Sequence, residues 1–418
     1  MCSGIYVYIC LLADFKDVTE RRQRGTSSFI YVVQSLLSDL SFVCACLHIH
    51  PPGAPIIDTV SAKSYHYYRF VDGDPSRDLI FDVSPLAGDP DLLVGCRVST
   101  TGGNDGYPSL ALHHFNYSSV HGGEDTLLIP RGDPKACQGG IYYLAVYAFS
   151  SSRFSLAATH QGGVVTLQDG VPVQSSSYAY IGKYFRFVMG PEAMQLTVSL
   201  TPGTGDLDLF VAIDRPVSHF SHDFSSMEDG TVPDRIVIPE TDGCTSCVVN
   251  VLVYGVVTSR FSLVASLEDT TIQLANARPL KEAVSAQYVQ YYTLYASENG
   301  TAVVVLTVLS GTPELYLSTT TERPTRSTPD TIVNAMASIG NLPVAFMDVR
   351  EGDVLFIGVG GAGTNATFTV RANIRVEGTE PLLSMLEAIP QGDAIGMNGP
   401  AWNYYQINMP AVSMGYYM

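Results

Sequence analysis

Apolar and polar residues alternate along most of the chain, in stretches too short for long helices. Residues 195–200 read QLTVSL, and every second residue is apolar, which is the pattern of a strand with one buried face. Pro202, Gly203 and Gly205 follow at once, and they are typical turn residues. Many short strands separated by turn signals predict an all-β fold, and specifically antiparallel β-sandwiches.

The predicted strands recur in a fixed order, which makes the chain a tandem repeat. Each copy opens with an aromatic pair, continues to a glycine turn, and closes with a strand centred on phenylalanine. The opening blocks are YYRF at 67–70, YFRF at 184–187, YYTL at 291–294 and YYQI at 404–407. The turns are GDPDL at 88–92, GDLDL at 205–209 and GTPEL at 311–315. The closing strands are RFSL at 153–156, RFSL at 260–263 and TFTV at 367–370.

The repeat predicts three complete jelly-roll-like β-sandwich modules and a truncated fourth. The segments are a leader at 1–55, modules at 56–160, 161–268 and 269–375, and a linker with the start of module 4 at 376–418. Linkers are predicted near 160–175, 267–281 and 375–396. The leader carries arginines ahead of an apolar run at 29–47, which indicates either an export signal or a disordered leader. Asp39 lies within that run, so no stable membrane span is expected.

Composition narrows the class of partner. The 418 residues carry a net charge of −17, and only 15% of them are charged. Nucleic acids and anionic membranes attract clustered lysine and arginine, so this balance argues against both. Proteins, neutral glycans and cations remain as candidate partners.

The ordered set of motifs resembles the bacterial pre-peptidase C-terminal domain family, over roughly residues 60 to 375. Relatives include the collagen-binding domains of clostridial collagenases. The resemblance implies a jelly-roll-like β-sandwich that is non-catalytic and either extends a secreted peptidase or forms part of an extracellular array. Module 3 departs from the pattern, because GTPEL replaces the turn with two aspartates.

The aspartate turns of modules 1 and 2 have two interpretations. Asp89 with Asp91, and Asp206 with Asp208, place two carboxylates on one side of a strand, which suits calcium if further oxygen ligands lie nearby. The favoured alternative is structural, with the carboxylates bonding turn amides. Calcium is therefore the one candidate cofactor, and none is required for the fold.

Cysteines and glycosylation sequons favour an oxidising, extracellular compartment. Cys96 is the available partner for Cys137, and Cys244 lies three residues from Cys247. Structural disulfides are the preferred interpretation, because neither a second zinc pair nor a redox-type βαβ context is present. The sequons begin at Asn116, Asn299 and Asn365.

The aromatic residues shared by the copies are predicted to fill the cores, although a glycan-binding strip was the alternative. They are Tyr67, Phe70, Phe154, Tyr184, Phe187, Phe261, Tyr291 and Phe368. The loops at 97–124, 214–230 and 318–345 vary, so binding specificity is expected there. The loop histidines at 113, 114, 219 and 222 do not align between modules, which favours solvated loops over a shared metal site.

No catalytic motif interrupts the repeat: the sequence has no nucleophile elbow, zincin helix motif or phosphate-binding loop. The sequence predicts a non-enzymatic, secreted or cell-surface array that binds a protein or glycan, or acts as a spacer. The first alternative is an accessory region of a secreted peptidase whose catalytic domain lies outside this chain. The second is a calcium-dependent adhesion segment.

Overall fold

The computed structural model is an all-β protein of three two-sheet sandwiches and the start of a fourth copy. Every element in the described part of the chain is a strand. The residues described are 47–49, 52–96, 107–111, 113, 115–120, 124–137, 140–192, 194–230, 232–240, 245–328, 330–334, 343–376, 382–385 and 404–406.

Module 1 pairs a five-stranded sheet with a four-stranded sheet. Its strands are β1 (Leu47–Ile49), β2 (Ile56–Val60), β3 (Tyr65–Val71), β4 (Leu79–Ala87), β5 (Pro90–Gly95), β6 (Tyr117–Ser119), β7 (Asp125–Ile129), β8 (Ile141–Ala148) and β9 (Ser152–His160). The five-stranded sheet has the order β1-β3-β8-β5-β6, and the four-stranded sheet has the order β2-β9-β4-β7.

Modules 2 and 3 repeat this topology strand for strand. Module 2 consists of β10 (Val164–Thr166), β11 (Val173–Ser177), β12 (Gly182–Val188), β13 (Leu196–Thr204), β14 (Leu207–Ile213), β15 (Phe224–Ser226), β16 (Asp234–Ile238), β17 (Val248–Gly255) and β18 (Ser259–Leu267). Module 3 consists of β19 (Ile272–Gln273), β20 (Leu280–Val284), β21 (Val289–Tyr295), β22 (Gly300–Ser310), β23 (Glu314–Ser318), β24 (Thr331–Asn334), β25 (Val344–Val349), β26 (Val354–Gly360) and β27 (Ala366–Arg375).

A parallel strand at the edge of each five-stranded sheet corrects two of the predicted linkers. β10 pairs in parallel with β12, and β19 pairs in parallel with β21, so 160–175 and 267–281 are parts of the sheets. β1 pairs with β3 in the same way and lies inside the predicted leader. The fourth copy begins likewise, with β28 (Leu382–Ser384) parallel to β29 (Tyr404–Gln406).

The cores show that the assignment of the aromatic pair was wrong by one residue. Tyr68 and Tyr292 are fully buried, whereas Tyr67, Tyr184 and Tyr291 are only half-buried. Because side chains alternate across a strand, the half-buried tyrosines point away from the core. The other predicted core positions, which are confirmed as buried, are Phe70, Phe154, Phe187, Phe261 and Phe368.

The glycine of each turn is required by its backbone conformation. Gly88, Gly205 and Gly311 have φ angles of 73°, 80° and 76°, which L-residues with a side chain rarely adopt. A Cβ at Gly88 would also collide with the carbonyl oxygen of Ser151. The tight turn therefore fixes where the following aspartates lie.

Modules 1 and 2 are docked through polar contacts that are buried. The side chain of Ser84 on β4 exchanges hydrogen bonds with the backbone of Gln174 on β11, at 2.8 and 2.9 Å. The ammonium of Lys183 lies 3.0 Å from Asp82. Unpaired, these groups would destabilise the interface, so their pairing fixes the relative position of the two sandwiches.

Modules 2 and 3 repeat this docking with different side chains. Glu282 on β20 accepts a hydrogen bond from Ser199 on β13 at 3.0 Å and lies 3.5 Å from Arg235. Burial raises the pKa of Glu282, against the opposing effect of Arg235. The buried carboxylate of Glu124 in module 1 also contacts both Arg260 and Arg278, so all three modules meet at this point.

Candidate functional site

The predicted calcium residues lie in the turns as expected, but they are engaged with the protein. The carboxylate of Asp206 accepts the Gly230 N–H at 3.0 Å. Burial, followed by repulsion from Asp206, raises the pKa of Asp208. Asp89 and Asp91 both have interactions with other groups of the protein. These contacts support the structural interpretation of the turn.

A second carboxylate beside each turn was missed by sequence reasoning. Asp125 and Asp234 are fully buried at the first residue of β7 and β16. Ser119 donates to Asp125 at 2.5 Å, and Ser226 donates to Asp234 at 2.6 Å. The signal was present, because an aspartate stands four residues before each Ile-Pro strand end, at 129–130 and 238–239.

No group of three or more potential metal-ligating His, Cys, Asp or Glu side chains occurs among the described residues. The Asp208 and Asp234 carboxylates interact by repulsion, which a cation could relieve, but calcium needs six to eight oxygen ligands. Calcium binding at Asp89, Asp91, Asp206 and Asp208 therefore stays a prediction.

The disulfide predicted in module 1 is confirmed. Cys96, directly after β5, is bonded to Cys137 at a sequence separation of 41, and their Cα atoms are 4.9 Å apart. Cys247 is disulfide-bonded as well, and Cys244 lies outside the described residues. The disulfide fixes the start of the variable loop of module 1 against the segment that leads to β8.

The predicted glycosylation residues are Asn116, Asn299 and Asn365, and all three are exposed. The side-chain oxygen of each accepts a backbone N–H, from Cys96, Glu351 and Ala286 respectively. Glycan attachment uses the amide nitrogen, and it stays a prediction at each position.

The outer face of the five-stranded sheet in module 1 carries five tyrosines in contact, here named the tyrosine platform. Tyr65 stacks on Tyr67 at 5.8 Å and contacts Tyr147 at 4.8 Å between ring centroids. Tyr107, from the variable loop, contacts Tyr67 at 4.7 Å and Tyr143 at 6.1 Å. All five rings are half-buried, so each presents an edge or hydroxyl to solvent.

The pKa values of two platform tyrosines, Tyr67 and Tyr107, are raised, so both hydroxyls are neutral near physiological pH. Burial, followed by the nearby phenols of Tyr65 and Tyr107, raises the pKa of Tyr67. Burial and Tyr143 raise the pKa of Tyr107. Neutral phenols both donate and accept hydrogen bonds, so the platform combines aromatic surface with polar groups and carries no charge of its own.

In module 2 the variable loop folds over the equivalent face. Val217 from the loop packs in a buried cluster with Phe210 and Leu252 of the sheet. His219 stacks on Tyr254 at 5.0 Å, and His222 contacts the Phe210 ring at the same distance. The prediction that these histidines lie in a solvated loop is therefore wrong for module 2, because His219 and His222 pack against the outer face of the sheet.

In module 3, two arginines of the variable loop hold that loop against the outer face of the five-stranded sheet. Arg323 of the loop lies 5.3 Å from the Tyr291 ring, and Arg326 lies 3.2 Å from the buried Glu314. The Tyr316 hydroxyl donates to Glu314 at 2.7 Å, and Tyr316 is only 4% exposed. Within the part of the chain that the structure describes, module 1 has the one outer face on which five tyrosine rings contact one another. Tyr184 and Tyr254 in module 2 and Tyr291 in module 3 are half-buried as well, and Phe220 in the loop of module 2 is 88% exposed.

Among the described residues, no helix has the length and apolar character needed to cross a bilayer. No protein-family model and no curated protein matches the chain. The chain is similar to a triple jelly-roll protein from the turret of an archaeal virus, at 11% identity over 77% of this chain and 82% of that one, with a TM-score of 0.17.

A mycobacterial arabinofuranosyltransferase gives 12% identity over 82% of this chain and 35% of that one, with a TM-score of 0.15. This chain therefore spans about a third of that enzyme. TM-scores this low carry no argument about function, so the fold class is established by the strand topology.

Proposed function

We propose that the protein is a non-catalytic extracellular binding array, and that the tyrosine platform of module 1 contacts a protein ligand. One observation carries the proposal: among the described residues, five partly exposed tyrosine rings contact one another on the outer face of module 1, and modules 2 and 3 have no such tyrosine cluster. Tyrosine gives a large, rigid contact area at low entropic cost and is enriched at protein interfaces. The docked modules supply a stiff support for it.

The compartment is part of the proposal. The disulfide between Cys96 and Cys137 and the exposed sequon asparagines are features of secreted proteins. The predicted resemblance to collagen-binding domains makes collagen the first probe.

The test is retention of the purified full chain on immobilised collagen, other extracellular matrix proteins and insoluble glycans. The double variant Y67A/Y107A is expected to weaken retention at least about tenfold, because it removes the centre of the platform. Tyr288 is 54% exposed in module 3, so Y288A is the matched control and is expected to bind normally. Retention on glycans alone would reassign the ligand class, and full retention by Y67A/Y107A would overturn the proposal.

A further inference from the structure

An open cleft of about 600 Å³ lies between modules 1 and 2, away from the tyrosine platform. Module 1 contributes Arg77 from the β3–β4 loop and Arg131 from the segment after β7. Module 2 contributes Tyr184 on β12 and Tyr180 from the turn before it. The volume lies within the ~300–1,000 Å³ of small-ligand sites, which are common between domains.

Arg131 supplies the cleft with a guanidinium that has no hydrogen-bond or ion-pair partner among the residues that the structure describes. Its backbone N–H donates to Asp78 at 2.9 Å, which fixes the base of the side chain. Within the described ranges, its guanidinium is exposed and makes no hydrogen bond or ion pair. Arg77 is committed by contrast, because its Nε donates to Asp74 at 2.7 Å. Two N–H groups of the Arg131 guanidinium are therefore available to bind both oxygens of a carboxylate.

Tyr180 is held over the cleft in a strained conformation. Its φ is 62°, a left-handed value that a bulky residue rarely adopts, and its side chain is 73% exposed. The turn is fixed by the Tyr180 N–H bonding the Gly255 oxygen at 2.7 Å and the Ile181 N–H bonding the Tyr178 oxygen at 3.1 Å. Glycine would form the same turn without strain, so the fold itself does not explain an exposed tyrosine there.

The lining indicates the class of ligand. Of the ten residues around the cleft, Ile181 is the only aliphatic one, and the others are charged residues, polar residues, glycines and two tyrosines. Such a surface offers hydrogen bonds and ring stacking. A much smaller apolar pocket adjoins it and is lined by Ile80, Leu128 and Val165, so apolar contact is available beside the cleft rather than in it. A sugar ring with an attached carboxylate matches the cleft in both chemistry and size.

We propose that this cleft binds an acidic sugar of the uronic acid class. Arg131 holds the carboxylate, the Tyr180 ring stacks on the sugar, and Asp78 and Gln161 bond its hydroxyls. This site is separate from the platform and does not depend on the proposed protein ligand.

The test is calorimetric titration of the full chain with digalacturonate, with neutral galactobiose and inorganic sulfate as comparison probes. Digalacturonate is expected to bind, and galactobiose is expected to bind at least about tenfold more weakly because it lacks the carboxylate. Sulfate should compete only weakly, since it cannot stack on Tyr180. Equal binding of the acid and the neutral sugar, equal binding of sulfate and digalacturonate, or no binding of digalacturonate would overturn the proposal.

Matched variants locate the site. R131Q is expected to weaken digalacturonate binding at least about tenfold, whereas K135Q removes the same charge four residues away at an exposed position and should change it less than about twofold. Y180G should lose binding severalfold while its Tm stays equal or rises, because the strain is removed.

Three results would contradict the cleft as the site. The first is an equal effect of R131Q and K135Q, and the second is normal binding by Y180G. The third is loss of digalacturonate binding in Y67A/Y107A, which would place the sugar on the platform instead.

Discussion

Modules 1 and 3 share one strand topology but differ in what covers the five-stranded sheet. In module 1 the loop adds Tyr107 to a tyrosine surface that stays partly exposed. In module 3 the loop closes over the sheet, with Arg323 on Tyr291 and Arg326 beside Glu314. Within the described residues, the same scaffold therefore carries a cluster of contacting tyrosines in one copy and a loop held by arginines in the other.

The difference separates packing residues from candidate binding residues. The closing phenylalanines Phe154 and Phe368 are both fully buried, so they specify the sandwich in each copy. The outer face is free to vary, because the core does not depend on it. A residue found in only one copy, such as Tyr107, is thus the better functional candidate.

The largest expected effect lies in the core, where the two modules should behave alike. F154A and F368A should each lower the free energy of unfolding by about 3–5 kcal/mol, because each removes a buried ring. Y67A should cost about 1 kcal/mol, since its ring is half outside the core. Urea unfolding of the purified variants measures all three. A cost for Y67A equal to that of F154A would mean that the platform is part of the core.

Reduction of the disulfide should destabilise module 1 and leave the stability of module 3 unchanged. Module 1 carries the bond between Cys96 and Cys137, 41 residues apart, whereas residues 269–375 contain no cysteine. Opening a loop of that length should destabilise module 1 by about 4 kcal/mol. Hydrogen exchange with and without reductant is expected to show faster exchange in β5 and β8 and unchanged exchange in β22 and β27. Equal changes in both modules would contradict a local effect.

The buried Asp234 carboxyl should give module 2 a pH dependence of stability that has no counterpart at the same position of module 3. Burial and the nearby Asp208, against hydrogen bonds from Ser226 and the Glu228 N–H, raise the pKa of Asp234 to about 6. Folding therefore favours the protonated form, and this stability is present below about pH 4 and lost as the pH rises through 6. The shift corresponds to roughly 3 kcal/mol. In module 3, Pro343 stands at the corresponding place, where its oxygen accepts the Leu306 N–H.

D234N should reduce that slope, which Tm measurements between pH 4 and pH 7 would show. Part of the slope should remain, because the pKa values of Asp208 and Glu282 are raised as well. A slope unchanged in D234N would contradict the assignment. Repeating the series with calcium and with chelator tests the remaining metal hypothesis, because an ion bound only to the native state must raise Tm. Without a calcium site, the two curves should coincide.

The smallest expected change in stability comes from removing the ion pair that holds the variable loop of module 3. Arg326 is largely exposed while Glu314 is buried, and exposed ion pairs contribute at most about 1 kcal/mol. R326A should therefore change stability by less than about 1 kcal/mol, measured by urea unfolding. A loss of several kcal/mol would mean that this arginine holds the sandwich rather than its cover.

The sequence predicted the sandwiches because the repeat and the alternation both come from core packing. It mistook Tyr67 for a core residue because the next residue, Tyr68, is also aromatic, so aromatic character alone does not tell which of the two faces the core. It missed β10 and β19 because strands of three and two residues leave no periodic signal within a predicted linker.

Some features of the candidate sites could be predicted from the sequence, and others could not. The pairing of Cys96 with Cys137 followed from elimination, since one partner was available in the module. The buried Asp125 and Asp234 were missed, although each stands four residues before an Ile-Pro strand end, because sequence alone does not show that these carboxylates are buried. The cleft of Arg131 and Tyr180 lies between two modules, so no pattern within one repeat could indicate it.

Tyrosine acetylation, read by mass spectrometry of the native chain, tests the contrast between open and closed faces most directly. Tyr288 is the exposed reference, and Tyr68 and Tyr292 are the buried ones. Modification of Tyr67 and Tyr107 with Tyr316 left intact is the result expected from an open module 1 and a covered module 3. Modification of Tyr316 at the rate of Tyr107, or protection of both platform residues in the free protein, would contradict it.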